Sequence, residues 1–341
     1  MINVLNRKDV NISSLFDSHS FLEGDYIETN EGLFFAVKGN YHPGDRVLSI
    51  LRYIPDETGD RIKNDIKYKR VYDLKYTGKY LKRNYPHYIS YIEELDLTLQ
   101  SVPIQNIKNL YNPREKIKEI INISYEPSRT LRKFVNAIIE ESGVSINSFG
   151  ISGSLLIGLH KPESDIDLNV YGRKDGIKVY DALKKLRQKN NWINSYDTDT
   201  IRKVLESRWR DTGINLDIFL DIEIKKVLHG LIDGREYFVR LLNPTPIEYK
   251  SRPINVVTIR RIIEDDSESI FTPCRYSFDN SDEEEIRGVL SYKGKFTEQV
   301  KKGELVEARG MLEEVWKENK REYRLVLGRK GDYLLPVNLL K

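Results

Sequence analysis

Two aspartates stand one residue apart inside an apolar run, Ser164-Asp165-Ile166-Asp167-Leu168, and a Gly153-Ser154 pair precedes them. On a strand, Asp165, Asp167 and Asn169 share one face, while Ile166, Leu168 and Val170 share the other. Two carboxylates on one face of a half-buried strand repel each other, so burying them calls for a cation. A hard divalent ion with oxygen ligands, Mg²⁺ (or Mn²⁺), answers that need. The Gly-Ser turn offers backbone N–H groups and a hydroxyl, donors that suit a phosphate. Metal and phosphate held side by side serve nucleotide chemistry.

In this order, these residues resemble the signature of the DNA polymerase β-like nucleotidyltransferase superfamily. The signature is Gly-Ser, a spacer with a second glycine (here Gly158), Asp-x-Asp (here Asp165 and Asp167), and a third carboxylate on a later strand. The third candidate is Asp217 in Ile214-Asn215-Leu216-Asp217-Ile218-Phe219-Leu220, an apolar run that reads as a strand; Asp221 lies four residues further on. The resemblance covers roughly residues 127–225. It implies a metal-dependent, pyrophosphate-releasing transfer of a nucleoside monophosphate from an NTP, ATP first, to an acceptor hydroxyl. Asp165, Asp167 and Asp217 would be catalytic and metal-binding, and Gly153 and Ser154 would hold phosphates. Arg202 and Lys203, in the basic segment before Asp217, either neutralise the triphosphate or are exposed helix charges. Many small members place Arg or another polar residue just after the Gly-Ser pair. This chain has Leu155-Leu156-Ile157, so a basic side chain from elsewhere would have to substitute.

The chain has 341 residues, is 39% hydrophobic and 31% charged, and so reads as folded, with room for two or three domains. No apolar run is long enough to span a membrane, and residues 1–14 lack an apolar leader, so a cytoplasmic location is expected. One cysteine, Cys274, excludes an intramolecular disulfide and a cysteine-built zinc site. A net charge of +3 argues against coating nucleic acid with the whole surface. Residues 61–83, however, carry nine Lys/Arg against two Asp, interleaved with Tyr68, Tyr72, Tyr76 and Tyr80. That composition suits single-stranded RNA, or else a strand pair whose tyrosines fill a core.

The fold class read from these patterns is α+β: a central nucleotidyltransferase α/β domain with a mixed sheet, flanked by two β-rich domains. Residues 1–102 form the N-terminal β-rich domain, and residues 103–240 the central domain with a helical connector. Residues 245–341 form a β-barrel that is loosely OB-like. In the turn Tyr41-His42-Pro43-Gly44-Asp45-Arg46, His42 and Asp45 either form a site or shape the turn. RNA is the acceptor favoured by the flanking domains. Two alternatives remain: adenylylation of a protein or small molecule, and a non-catalytic protein that binds nucleotide and nucleic acid.

Overall fold

The computed structural model describes residues 21–124, 126–243, 250–279, 286–317 and 320–340, so the leader reading of residues 1–14 lies outside it. The N-terminal β-rich part contains β1 (Tyr26–Thr29), β2 (Phe34–Val37), β3 (Arg46–Pro55), β4 (Arg61–Lys63) and β5 (Ile66–Arg70). Helix α1 (Leu74–Asn84) follows, then β6 (Ile89–Ile92), β7 (Leu97–Pro103) and β8 (Ile107–Tyr111). The strands pair in the order β4-β5-β3-β2-β1-β8, with β7 joining β3 and β6. Because β8 pairs with β1, the N-terminal sheet runs to Tyr111, past the boundary expected at 102. Helix α2 (Pro113–Ile120) completes the connector.

The central sheet follows from sequence periodicity. Helix α3 (Ser128–Ser142) buries Leu131, Phe134, Val135 and Ile138 on one face and stops at Gly143, which is left-handed at φ 67°. Then come β9 (Phe149–Ile151), α4 (Gly153–Ile157), β10 (Ile166–Tyr171), α5 (Arg173–Lys189) and β11 (Ile193–Asn194). After α6 (Thr198–Trp209) and α7 (Asp217–Lys225), β12 (His229–Ile232) and β13 (Arg235–Leu242) complete the sheet. Its order is β11-β12-β13-β10-β9, and it is mixed: β10 runs parallel to β13 and antiparallel to β9.

The strand expected around Asp217 is instead helix α7. The run alternates apolar and polar residues as a strand would, but a tertiary partner overrides that period. Phe219 stacks on Trp209 with centroids 4.3 Å apart, and one turn later Glu223 accepts the Trp209 Nε1–H at 2.9 Å. Phe219 and Glu223, four residues apart, meet one ring only if the segment is helical.

The C-terminal part holds β14 (Lys250–Asp265), β15 (Phe271–Thr272), β16 (Cys274–Phe278), β17 (Ile286–Ser291), β18 (Leu305–Lys317), β19 (Lys320–Leu327) and β20 (Tyr333–Pro336). β15 adds to β13 of the central sheet. Pairing runs β14-β16-β17-β19-β18 and returns to β14, a ring of five strands. Helices α6 and α7 pack between this part and β12: Ile201, Leu205, Trp209 and Phe219 share a core with Tyr276, Phe296, Leu325 and Leu231. Among the described residues, no helix is long and apolar enough to cross a membrane.

A buried ion network joins the central and C-terminal parts. Glu223 accepts from Lys226 Nζ at 2.9 Å and from Arg208 Nη1 at 2.7 Å, and Lys226 also donates to Gln299 Oε1 at 2.8 Å. Burial opposes the charge on Glu223, yet Lys226 and Arg208 hold its pKa down to about 2. Replacing Lys226 with Met leaves the buried Glu223 carboxylate with Arg208 as its remaining cation, and we expect a loss of about 3 kcal/mol in urea unfolding at pH 7. The depressed pKa also means that Glu223 stabilises the wild type above its ordinary range near 4.5 and ceases to as pH falls toward 2. The Met variant should therefore approach the wild type in acid.

Candidate functional site

The ladder between β9 and β10 delivers the Gly-Ser turn to the acidic strand. Ile151 lies opposite Leu168, and Ser152 N donates to Asp167 O at 2.8 Å. Gly153 then lies against the Asp167 carboxylate with φ +62°, and a Cβ there would stand 2.1 Å from Asp167 Oδ2. Glycine alone accepts both the left-handed backbone and that approach. Ser154, in the first turn of α4, has a buried hydroxyl with no hydrogen-bond partner among the described residues. An orphaned buried hydroxyl costs about 1–3 kcal/mol, which fits a position completed by a ligand oxygen.

Asp165 immediately precedes β10 and Asp167 is its second residue, with Ile166 and Leu168 turned into the central core. Burial and then the neighbouring Asp165 charge push Asp167 up to about 6, against the pull of Arg240, Arg70 and Arg52. Across the parallel ladder, Ile166 pairs with Tyr237 and Asn169 with Arg240. Tyr237, Val239 and Leu241 are buried in the core, so Glu236, Phe238 and Arg240 share the face of the aspartates. Glu236 is the next carboxylate on that face. Partial burial and then the Asp165 charge raise its pKa, so it lies within electrostatic reach of Asp165.

Asp217 is at the exposed start of α7, in no strand of this sheet, so the third acid expected there is not held on a strand beside β10. Glu236 went unread, although Arg235-Glu236-Tyr237-Phe238-Val239-Arg240 alternates cleanly; its local pattern gives no sign that β13 is the neighbour of β10. Arg202 and Lys203 lie exposed on α6; Lys203 is close enough to act electrostatically on Glu236. His42 shapes its turn: Nδ1 accepts the Leu48 N–H at 3.1 Å, and Nε2 meets Phe21 O at 3.2 Å. Asp45 pairs with Arg46 beside it.

The Leu155-Leu156-Ile157 run has a structural explanation. Leu155 packs in the central core, while Leu156 and Ile157 pack against Tyr26, Phe34, Tyr53 and Tyr68 of the N-terminal sheet. The β4–β5 hairpin clasps the same region. Arg61 Nη1 donates to Leu159 O at 2.8 Å, and Lys63 Nζ donates to Ile157 O at 2.7 Å. Two of the nine basic residues in 61–83 are thus spent on holding the loop between the Gly-Ser turn and the acidic strand. Segment 22–26 crosses the sheet as well: Ser152 Oγ donates to Gly24 O at 2.7 Å, and Gly24 leaves no room for a Cβ beside buried Asn169. On the same face, Gly294 of the C-terminal part packs against the Phe238 ring, on which His229 stacks with centroids 4.5 Å apart.

This donor set fits a hard divalent cation. Among the described residues, no three His, Cys, Asp or Glu side chains already converge as ligands. The aspartate pair therefore suits Mg²⁺, which takes one or two carboxylates and completes its shell with substrate phosphates and water.

Residues 131–225 match the family described as nucleotidyltransferase domain. Over 321 residues the chain is 30% identical to the "Uncharacterized protein MJ1086" of Methanocaldococcus jannaschii, an alignment covering 89% of this chain and 94% of that protein. No solved structure matches the chain.

Gly153→Ala should destabilise the fold by about 2–4 kcal/mol in urea unfolding, because the new methyl cannot avoid the Asp167 carboxylate. Asp167→Asn should act in the opposite direction. An aspartate whose pKa is raised by folding loses stability as pH climbs from its ordinary value near 3.8 through about 6. In EDTA at pH 8 the Asn variant should therefore be more stable than the wild type by on the order of 1–3 kcal/mol, with the gap closing below pH ~4.

Proposed function

We propose, for a chain that belongs to the family of the M. jannaschii protein and whose residues 131–225 form a nucleotidyltransferase domain, that it moves a nucleoside monophosphate from an NTP to an acceptor hydroxyl, with RNA as the acceptor. The observation that carries this reading is the seating of Asp167 against the bare backbone of Gly153, with the orphaned Ser154 hydroxyl one residue on. Carboxylates for a cation and donors for a phosphate thereby meet at one place.

Asp165 and Asp167 would hold one or two divalent cations together with the substrate phosphates. Such ions, when bound, neutralise phosphate charge and lower the pKa of the acceptor hydroxyl. Gly153 lets the Asp167 carboxylate lie against the main chain, and Ser154 Oγ donates to a phosphate oxygen. The acceptor oxygen attacks the α-phosphorus, the bond to the β-phosphate oxygen breaks, and pyrophosphate leaves. Glu236, which shares the face of the aspartates, takes the acceptor proton. Since phosphoryl transfer needs little covalent help, positioning and charge neutralisation supply the rate.

RNA as acceptor is supported by Lys67, Lys69, Lys75, Lys79, Lys82 and Arg83, all exposed and interleaved with exposed Tyr72 and Tyr76. Tyr76 stacks on Tyr80 at 6.3 Å, and such rings offer faces to unpaired bases. An OB-like barrel in the C-terminal part would give a second surface for a single strand, and the pairing of β18 back to β14 supports that reading.

The test incubates the full chain with Mg²⁺ or Mn²⁺, each α-labelled NTP in turn, and total RNA plus protein. Wild type should incorporate label into nuclease-sensitive material, and Asp165→Asn/Asp167→Asn should lower incorporation by at least about 10³-fold. Glu236→Gln should lower it more than Asp217→Asn does. Protease-sensitive label would move the acceptor to protein, and label that the double variant still incorporates would remove the activity from this site.

A further inference from the structure

The N-terminal sheet that buries Leu156 and Ile157 also brings cations to the acidic pair. Arg70 ends β5 and pairs across the ladder with Tyr53 of β3, whose ring packs on Leu156 and Ile157 directly behind the Gly-Ser turn. Residues paired across a ladder point to the same side, so Arg70 faces the central domain. Arg52 precedes Tyr53 on β3. The two guanidinium carbons lie 5.7 Å (Arg52) and 4.4 Å (Arg70) from the ring of Tyr72, which is 56% exposed. Stacking occupies the face of a guanidinium and leaves the N–H donors in its plane free. Among the described residues, neither guanidinium makes a hydrogen bond or an ion pair.

Both arginines are within electrostatic reach of Asp167, where they act alongside Arg240. Arg240 has no carboxylate partner among the described residues either; its guanidinium lies 4.9 Å from the Phe238 ring and donates to Asn169 Oδ1 at 3.4 Å. Lys293, from the C-terminal part, lies in the field of Arg52. Three cations from two parts of the chain, Arg52, Arg70 and Arg240, thus act on a site whose own acids would be occupied by a divalent ion. Such an excess of positive charge calls for a polyanion, and planar guanidiniums match phosphate oxygens best.

We propose that Arg52 and Arg70 of the N-terminal sheet bind the β- and γ-phosphates of the triphosphate, standing in for the basic residue that Leu155-Leu156-Ile157 leaves out of the Gly-Ser helix. This rests on the transfer reading above, but it assigns the triphosphate to residues outside the matched span 131–225. The sheet that takes the place of a basic residue brings its own replacements.

Calorimetric titration of the full chain with Mg²⁺ and inorganic tripolyphosphate, with each ribonucleoside triphosphate, and with the matching monophosphates tests this. Arg52→Gln and Arg70→Gln should each weaken tripolyphosphate and triphosphate binding about tenfold, leave monophosphate binding unchanged, and be partly rescued in Arg70→Lys. Unchanged tripolyphosphate affinity in both Gln variants would overturn the inference. So would a wild type that binds no polyphosphate, or a loss confined to a single-stranded oligoribonucleotide. The two readings fail separately. Arginine-dependent polyphosphate binding without label transfer sinks the transfer reading alone, and label transfer with unaltered affinity in the variants sinks this one alone.

Discussion

Like charges brought together on a strand that also serves a hydrophobic core set the terms for the rest of the molecule. Asp165 and Asp167 lose hydration and repel each other, and the rise of the Asp167 pKa to about 6 registers that cost. The surroundings are arranged to bear it. Gly153 gives up its side chain so that the carboxylate can lie against main chain, and arginines from two sheets face the pair. Stability is surrendered at the strand where phosphate chemistry would need charge, a common trade at functional sites.

The site is also a junction. The N-terminal sheet clasps the loop between the Gly-Ser turn and β10 through Arg61 and Lys63, and the C-terminal part packs Gly294 against Phe238 on the same face. This explains the loss of polarity after the Gly-Ser pair. Leu156 and Ile157 belong to an interface core, and a charged residue there would be desolvated without a partner. The terminal parts are therefore walls of the site as well as appendages to it. The buried Glu223–Lys226–Arg208 network plays the corresponding part on the other side, joining α7 to the segment that carries Lys295 and Gln299.

Much of this was legible in the chain. The alternation of β10 gave the face of Asp167, and the order Gly-Ser then Asp-x-Asp gave a nucleotidyltransferase domain. The N-terminal part is β-rich, as its composition suggested. The run around Asp217 read wrongly for a specific reason: its alternation is genuine, but the Trp209 ring recruits Phe219 and Glu223 four residues apart. Segment 61–83 read as a single basic stretch, whereas it divides into a clasping hairpin and an exposed helix.

Sequence alone determined which residues can do chemistry, because residue type and local period fix what a side chain carries and which face of its own element it occupies. Tertiary structure decided which of them meet. Glu236 stands beside Asp165 because β13, some seventy residues later, is the parallel neighbour of β10. Arg52 and Arg70 reach the site because a separate sheet docks on the Gly-Ser helix. Neighbourhood between distant elements is set by which apolar faces bury each other, and that is a property of the whole core that no local pattern contains.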